Sequence, residues 1–165
     1  MLLSLAAILV SLVSLYFARL FWMQTNRPVV CAFVTEFSAG DMGAAFNLVV
    51  ANTGNRPAVR VQLHAAESDM LKLVEQDAAQ SRVRHVVGCF SSESEIPLLR
   101  NGEEVETSLG SVSSHPQNEK WLKYGAEIEI SITYKDLYGR SFKSQHPIKI
   151  SDRKGFGGGT WGSRS

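Results

Sequence analysis

The chain divides by pattern into an apolar run and a longer alternating part. From Leu2 to Ala18 no side chain carries a charge; Arg19 interrupts the run and Leu20–Met23 resumes it. Rising about 1.5 Å per residue, a helix over 1–23 matches the roughly 30 Å hydrocarbon layer of a bilayer. Leu, Ile, Val and Phe dominate it, each favouring insertion by about 0.3–0.6 kcal/mol, and one arginine near the end can snorkel to the headgroups. Tyr16, Arg19, Trp22 and Arg27 gather at that end, where amphipathic rings and cations suit the membrane–water boundary. The pattern predicts a transmembrane helix over 1–23 with those four residues as interface anchors. The competing reading is a cleaved secretory signal. It fits less well, because the start lacks a basic region and no A-x-A-like site follows the run. Lys and Arg flank only the C-terminal end, so the positive-inside rule places residues 27–165 in the cytoplasm.

Within the run, Ser4, Ala7, Ser11, Ser14 and Ala18 recur every three or four residues. That spacing puts them on one helical stripe, the kind of small-residue face along which helices associate in lipid. Simple tolerance of small residues in a membrane helix would leave the same stripe.

Gln24–Pro28 reads as a short hinge, since Pro28 discourages the helix from continuing. Beyond it the pattern is that of strands. Val29–Phe37 is rich in β-branched and aromatic residues, with Val29, Cys31, Phe33 and Phe37 on one face, which makes Cys31 a small buried hydrophobe. Ala44–Ala51 sets Phe46, Leu48 and Val50 against Asn47, Val49 and Ala51. Asn52–Pro57 must turn. Ala58–Ala66 sets Val59, Val61, Leu63 and Ala65 against Arg60, Gln62 and His64. The two strands suggest antiparallel neighbours, although the turn can also cross between sheets.

Residues 67–90 break the alternation. Ser68 can cap a short helix, and Val83, Val86, Val87 and Phe90 fall on one helical stripe; the valine-rich end also suits a strand. A helical insertion is the expectation. Ile96–Gly110 reads as strand, Asn101-Gly102 turn, strand. In Trp121–Lys135, Ile128, Ile130, Ile132 and Tyr134 alternate with Glu127, Glu129, Ser131 and Thr133, the cleanest strand in the chain. Arg140–Ile150 returns, with Pro147 arguing for a sheet edge. Residues 151–165 read as a flexible tail. About seven short strands separated by turns suggest an antiparallel β-sandwich of immunoglobulin-like type, spanning 29–150, without the Cys…Trp…Cys hallmark.

FNLVVANTGNRPAVRVQLHA at 46–65, IPLLRNGEEVETSL at 96–109 and EIEISITYKDLYGRSF at 127–142 resemble the strands and turns of bacterial adhesion-related immunoglobulin-like domains. The layout resembles small, uncharacterised bacterial single-pass membrane proteins with one N-terminal helix and one such domain. The resemblance implies a fold and a bacterial inner-membrane setting, and carries over no catalytic residue. The adhesion-related domains are typically exported, against the cytoplasmic side the charges predict.

Composition narrows the chemistry. A net charge of +1 gives no bulk attraction to nucleic acid, and no nucleic-acid partner is expected. The two cysteines, Cys31 and Cys89, lack metal spacing and should be reduced in the cytoplasm. None of the four histidines, His64, His85, His115 and His146, has a partner at ligand spacing. Glu103, Glu104 and Glu106 cluster by a turn, where they more readily discourage edge aggregation than do acid–base work. GFGGG at 155–159 lacks the P-loop lysine. Cys89 beside His85 would need a helix to meet it, and a third group to orient the pair. Trp161, flanked by glycine, offers a docking point for a partner, or is only part of a terminus. The expectation is a protein without catalytic, cofactor or metal site. It would contact membrane lipid and bind a protein partner, or form a homo-oligomer through its helix. An exported binder of envelope ligands or adhesion partners is the alternative, and it predicts a Cys31–Cys89 bridge.

Overall fold

The computed structural model describes residues 2–40, 43–113, 121–151, 155–156 and 159–160. In chain order the elements are α1 (Leu2–Thr25), β1 (Val30–Gly40), β2 (Gly43–Asn52), β3 (Ala58–His64), α2 (Glu67–Met70), a 3₁₀ turn (Leu71–Leu73), α3 (Gln80–Gly88), β4 (Ile96–Leu99), β5 (Glu104–Ser113), β6 (Glu127–Lys135), β7 (Ser141–Lys149), β8 (Gly155–Phe156) and β9 (Gly159–Thr160). The protein is mainly β, with two antiparallel sheets behind an N-terminal apolar helix. One sheet has the order β1-β2-β5 and the other β4-β3-β6-β7.

Residues Ala6–Thr25 of α1 have a mean hydropathy of 1.8, and none of that span is buried. By length and composition the helix can cross a membrane; a signal sequence meets the same description. Asn26 closes it: its backbone N–H and its Nδ2 both donate to the Trp22 carbonyl, at 2.9 and 3.0 Å. One carbonyl of the last helical turn thus accepts two bonds.

The inner faces of the sheets supply the core. Val30, Ala32 and Val34 of β1 meet Phe46, Leu48 and Val50 of β2, and Val61, Leu63, Ile128, Ile130, Ile132 and Ile148 line the opposite sheet. The phase of β1 differs by one residue from the sequence expectation. Val29 is exposed, Cys31 and Phe33 are half-buried on the outer face, and Phe37 is 72% exposed at a bulge between Glu36 and Ser38. The cause lies at the start of the strand. The Val29 N–H donates to Asn52 Oδ1 at 3.2 Å, and the Val29 carbonyl accepts from the Thr53 N–H at 2.8 Å. Both backbone groups of Val29 are spent on the β2–β3 loop, and a one-residue change of phase turns every later side chain over. Val59 departs similarly. The β3 register is irregular between Val59 and Gln62, where Arg60 has φ 54°, so Ala58 takes the inward place of Val59 while Val61 and Leu63 point inward together as expected.

The helical insertion is present as α2, the 3₁₀ turn and α3. Val86 and Phe90 are buried, with Val83 and Val87 packed beside them. Ser68 does not cap it: the N-cap is Ala66, and Glu67 opens the helix. The Asn101-Gly102 turn does not make a hairpin. It carries the chain from β4 in one sheet to β5 in the other. The β2–β3 turn crosses in the same way. Pro147 does lie on an edge, because β7 ends its sheet. Most of the stretch read as a tail lies outside the described residues; among those described, Gly155↔Thr160 and Phe156↔Gly159 pair.

The body is tied together at its helix-proximal end by Asn52, which is fully buried. Its Nδ2 donates to the carbonyls of Arg56 (2.7 Å) and Leu99 (3.1 Å). Its Oδ1 accepts from the N–H groups of Val29 and Gly54. Its backbone bonds Glu103 and Gly102. All four side-chain bonding positions are used, as a buried amide requires. Gly54 is needed beside it, because a Cβ there would run into backbone atoms of Arg27, Pro28 and Val29. The segment read as a hinge is therefore held against the body: Pro28 is buried, and Tyr134 Oη reaches its carbonyl at 3.5 Å.

Candidate functional site

The two sheets have two long sides. On one, β1 and β7 come together although no ladder joins them. The Ala32 N–H donates to His146 Nε2 at 3.0 Å, and Ser144 Oγ donates to the Val30 carbonyl at 3.1 Å. Alternate side chains of β7 thus supply partners to the edge of β1. His146 acts as acceptor at Nε2, so its proton sits on Nδ1.

On the other side, β4 and β5 end their sheets and do not pair. β4 has four residues including Pro97, and the turn to β5 sends the strands into different layers. A groove of about 570 Å³ opens between them. Leu48, Val50 and Leu63 form its floor, and Ile96, Val105 and Cys89 line its walls. Glu93, Glu95 and Glu106 outweigh Arg84 around it. The first five residues of β5, Glu104–Ser108, are exposed. α3 leans over the far end, where His85 Nε2 lies 2.8 Å from the Ser108 carbonyl. A carbonyl only accepts, so that nitrogen carries a proton. The His85 ring meets Trp121 edge-on at 5.5 Å, and Arg82 lies 4.9 Å over the same indole.

α3 brings His85 and Cys89 one turn apart, and they still make no nucleophile. The Cys89 thiol donates to the His85 backbone carbonyl at 3.4 Å, while the imidazole turns away to Ser108. Partial burial pushes the Cys89 thiol above its ordinary value, against a smaller lowering by its own backbone N–H. An activated cysteine needs the opposite. Cys31 and Cys89 are both free of disulfide. They stand on opposite faces of the β1-β2-β5 sheet, Cys31 over the Ala51 carbonyl at 3.7 Å and Cys89 beside Leu48 and Val50.

The other sequence candidates have structural partners. His64 Nε2 bonds Thr133 Oγ1 at 2.8 Å. Glu103 accepts from the Arg100 N–H at 2.6 Å and closes its turn, and Glu106 accepts from Asn47 at 3.1 Å. Among the described residues no cluster of His, Cys, Asp and Glu suits a metal ion. His115 and Trp161 lie outside the described residues. Along α1, Ser4, Ala7, Ser11, Ser14 and Ala18 are all exposed. Ser11 Oγ donates to its own helix at the Ala7 carbonyl, 2.8 Å away, a back-bond common for serine within a helix. Tyr16, Arg19, Trp22 and Arg27 are exposed too, and Arg56 of the body lies 5.4 Å over the Trp22 ring.

Sequence reasoning missed the groove, the Asn52 hub and the His146 seam. The Asn52-x-Gly54 spacing was legible as a turn. That the asparagine is buried follows only from the crossing of three segments. Pro97 within a short apolar run was the available sign of a weak edge at β4.

Fold and site together define a two-sheet β protein behind an apolar N-terminal helix, with one side sealed and one side open. The chain belongs to the DUF8453 family, a domain of unknown function, which matches residues 1–154 and so takes in α1 with both sheets. No curated protein matches it.

Proposed function

We propose that this is a single-pass protein of the bacterial inner membrane whose non-enzymatic body binds a protein partner from the cytoplasmic side. α1 is the retained anchor. The family match, which runs through α1 and the body as one unit, supports that reading, as does the packing of the post-helix segment onto Gly54 and Asn52. Lettered A to G, the sheets read A-B-E and C′-C-F-G, an order that supports reading the body as an immunoglobulin-like sandwich with its fourth strand joined to C. The small-residue stripe of α1 assembles copies or docks a membrane partner.

The observation that carries the binding role is the unpaired side of β5 next to an apolar groove with an acidic rim. An extended segment can add to such an edge, its backbone bonding the strand and alternate side chains entering the groove. The rim selects a basic segment with alternating apolar residues. The test uses the full chain in lipid nanodiscs, with its intact mass checked first, and fluorescent octapeptides alternating lysine and valine or glutamate and valine. Saturable binding of the basic series is expected, weakened at least tenfold by Glu95→Lys with Glu106→Lys. Equal binding of both series, or no response to the charge reversal, would refute the site.

A further inference from the structure

The end of the body nearest α1 carries a second surface, distinct from the groove. Two crossings and a hairpin meet there: the β2–β3 loop, the β4–β5 turn and the β6–β7 turn. Asn26, Arg56, Leu137, Tyr138 and Arg140 border one small recess. Asn55 Nδ2 lies 3.5 Å from Asn26 Oδ1, so the loop sits against the first residue after the helix.

The β6–β7 turn is built to hold its tip in one place. Asp136 is almost fully buried. Its Oδ1 accepts from the N–H groups of Tyr138 and Arg140, both at 2.9 Å, and its Oδ2 accepts from Arg140 Nε at 2.7 Å. Gly139 closes the turn at φ 82°, a left-handed conformation that glycine adopts without strain. This frame presents Leu137 and Tyr138 outward, 62% and 71% exposed, with Arg140 lying 5.9 Å over the Tyr138 ring. Two adjacent large apolar side chains at a rigid tip contribute nothing to the core.

Other arginines share this end of the body, with Arg56 bordering the same recess as Leu137 and Tyr138. Arg27 and Arg56 are not buried, and Arg100 on the β4–β5 turn is exposed. Asp136 is paired with Arg140, so Arg27, Arg56 and Arg100 stand against the carboxylates of Glu103 and Glu104 at this end. Arg56 lies over Trp22, a residue whose chemistry favours the headgroup level. The surface is therefore continuous with the boundary end of α1.

We infer that this end of the body docks on the anionic lipid surface of the membrane that α1 crosses, with Leu137 and Tyr138 dipping into the interface and Arg27, Arg56 and Arg100 meeting lipid phosphates. Each arginine near an anionic surface adds to the attraction. The inference rests on α1 being a retained anchor. It goes beyond that reading by fixing the posture of the body. Lying down on its loop end, the body points the β1–β2 hairpin away from the bilayer and keeps the groove side clear of it.

The test is nitroxide labelling of the full chain, with Cys31 and Cys89 replaced by alanine, at Leu137→Cys, Tyr138→Cys and, as a distant reference, Phe37→Cys. The chains are placed in nanodiscs with and without phosphatidylglycerol. Collisions with a water-soluble nickel chelate should fall several-fold at 137 and 138 relative to 37, and collisions with oxygen should rise. The contrast should grow with phosphatidylglycerol and shrink in Arg27→Gln with Arg56→Gln, which leaves the Asp136 turn intact. A chain that floats with the discs at full mass, yet shows equal nickel access at all three positions, overturns the docking and leaves the anchor standing. A chain recovered without α1 and apart from the discs overturns both.

Discussion

The two long sides of the body face the same physical problem and solve it differently. Each is formed by the terminal strands of two sheets, whose outer backbone groups need partners. On the β1/β7 side, His146 and Ser144 reach across and supply them. On the β4/β5 side, the strands separate and leave a groove with β5 exposed over half its length. Sealing uses polar side chains at alternate positions of one strand. Opening uses a short, proline-containing strand and a turn that crosses layers. A β protein can thus commit one flank to stability and keep the other for binding. The two should then respond to mutation in opposite ways.

The largest effect belongs to the residue both sides depend on. Asn52→Ala removes the bonds to Val29, Gly54, Arg56 and Leu99 at once. Unsatisfied buried groups cost about 1–3 kcal/mol each, partly recovered by water. Destabilisation of at least about 3 kcal/mol is expected, lowering Tm by about 10 °C in a thermal melt. A loss under about 1 kcal/mol would show that the crossing is held by packing alone.

Next come the seam residues. His146→Ala strands the Ala32 N–H inside the core layer and should cost about 2 kcal/mol, while Ser144→Ala should cost about 1, in urea titrations. Equal losses from Glu95→Lys with Glu106→Lys would abolish the contrast between the flanks. Those exposed changes are expected within about 0.5 kcal/mol of the parent.

Acid should loosen the sealed flank from its end. Burial acts to raise the pKa of Asp136. The N–H groups of Arg140 and Tyr138, with the Arg140 guanidinium and its charge, outweigh burial and hold the carboxyl below its usual range. The unfolded chain takes up this proton near pH 3.9. Because the folded value is lower, the stabilisation is fully present above that pH and fades as pH falls through the folded value. Urea midpoints measured from pH 5 downward should fall less steeply in Asp136→Asn than in the parent.

Most of the strands were legible because alternation directly reports a half-buried sheet. Ile128, Ile130, Ile132 and Tyr134 alternate without interruption and are all buried. β1 was misread in phase because both of its faces are apolar: Phe33 and Cys31 pair across to Val49 and Ala51, so hydrophobicity alone cannot choose the inner one. The bonds from Val29 to Asn52 and Thr53 choose it, and those connect residues distant in the chain. Val59 was misplaced by a bulge whose only local sign is a non-glycine residue at positive φ. The groove was invisible for a related reason. It is a relation between two strand edges, set by which sheet each strand joins, and no pattern within either strand encodes that.

The smallest expected effect is also the one that tests the open flank most directly. Cys89 lines the groove, and burial pushes its thiol up. Since the thiolate is the reacting form, alkylation near neutral pH should be slower than for an unperturbed cysteine, and should accelerate as pH rises past the ordinary thiol value. Cys31, half-buried on the opposite face of the same sheet, provides an internal reference in the same molecule. A basic octapeptide seated along β5 should slow alkylation of Cys89 further and leave Cys31 unchanged, which peptide mapping by mass spectrometry resolves. Protection of Cys31 with Cys89 unaffected would move the binding surface to the outer face, where Phe33, Val49 and Ala51 adjoin. The open flank would then be merely unsealed, and the contrast between the two sides would lose its functional meaning.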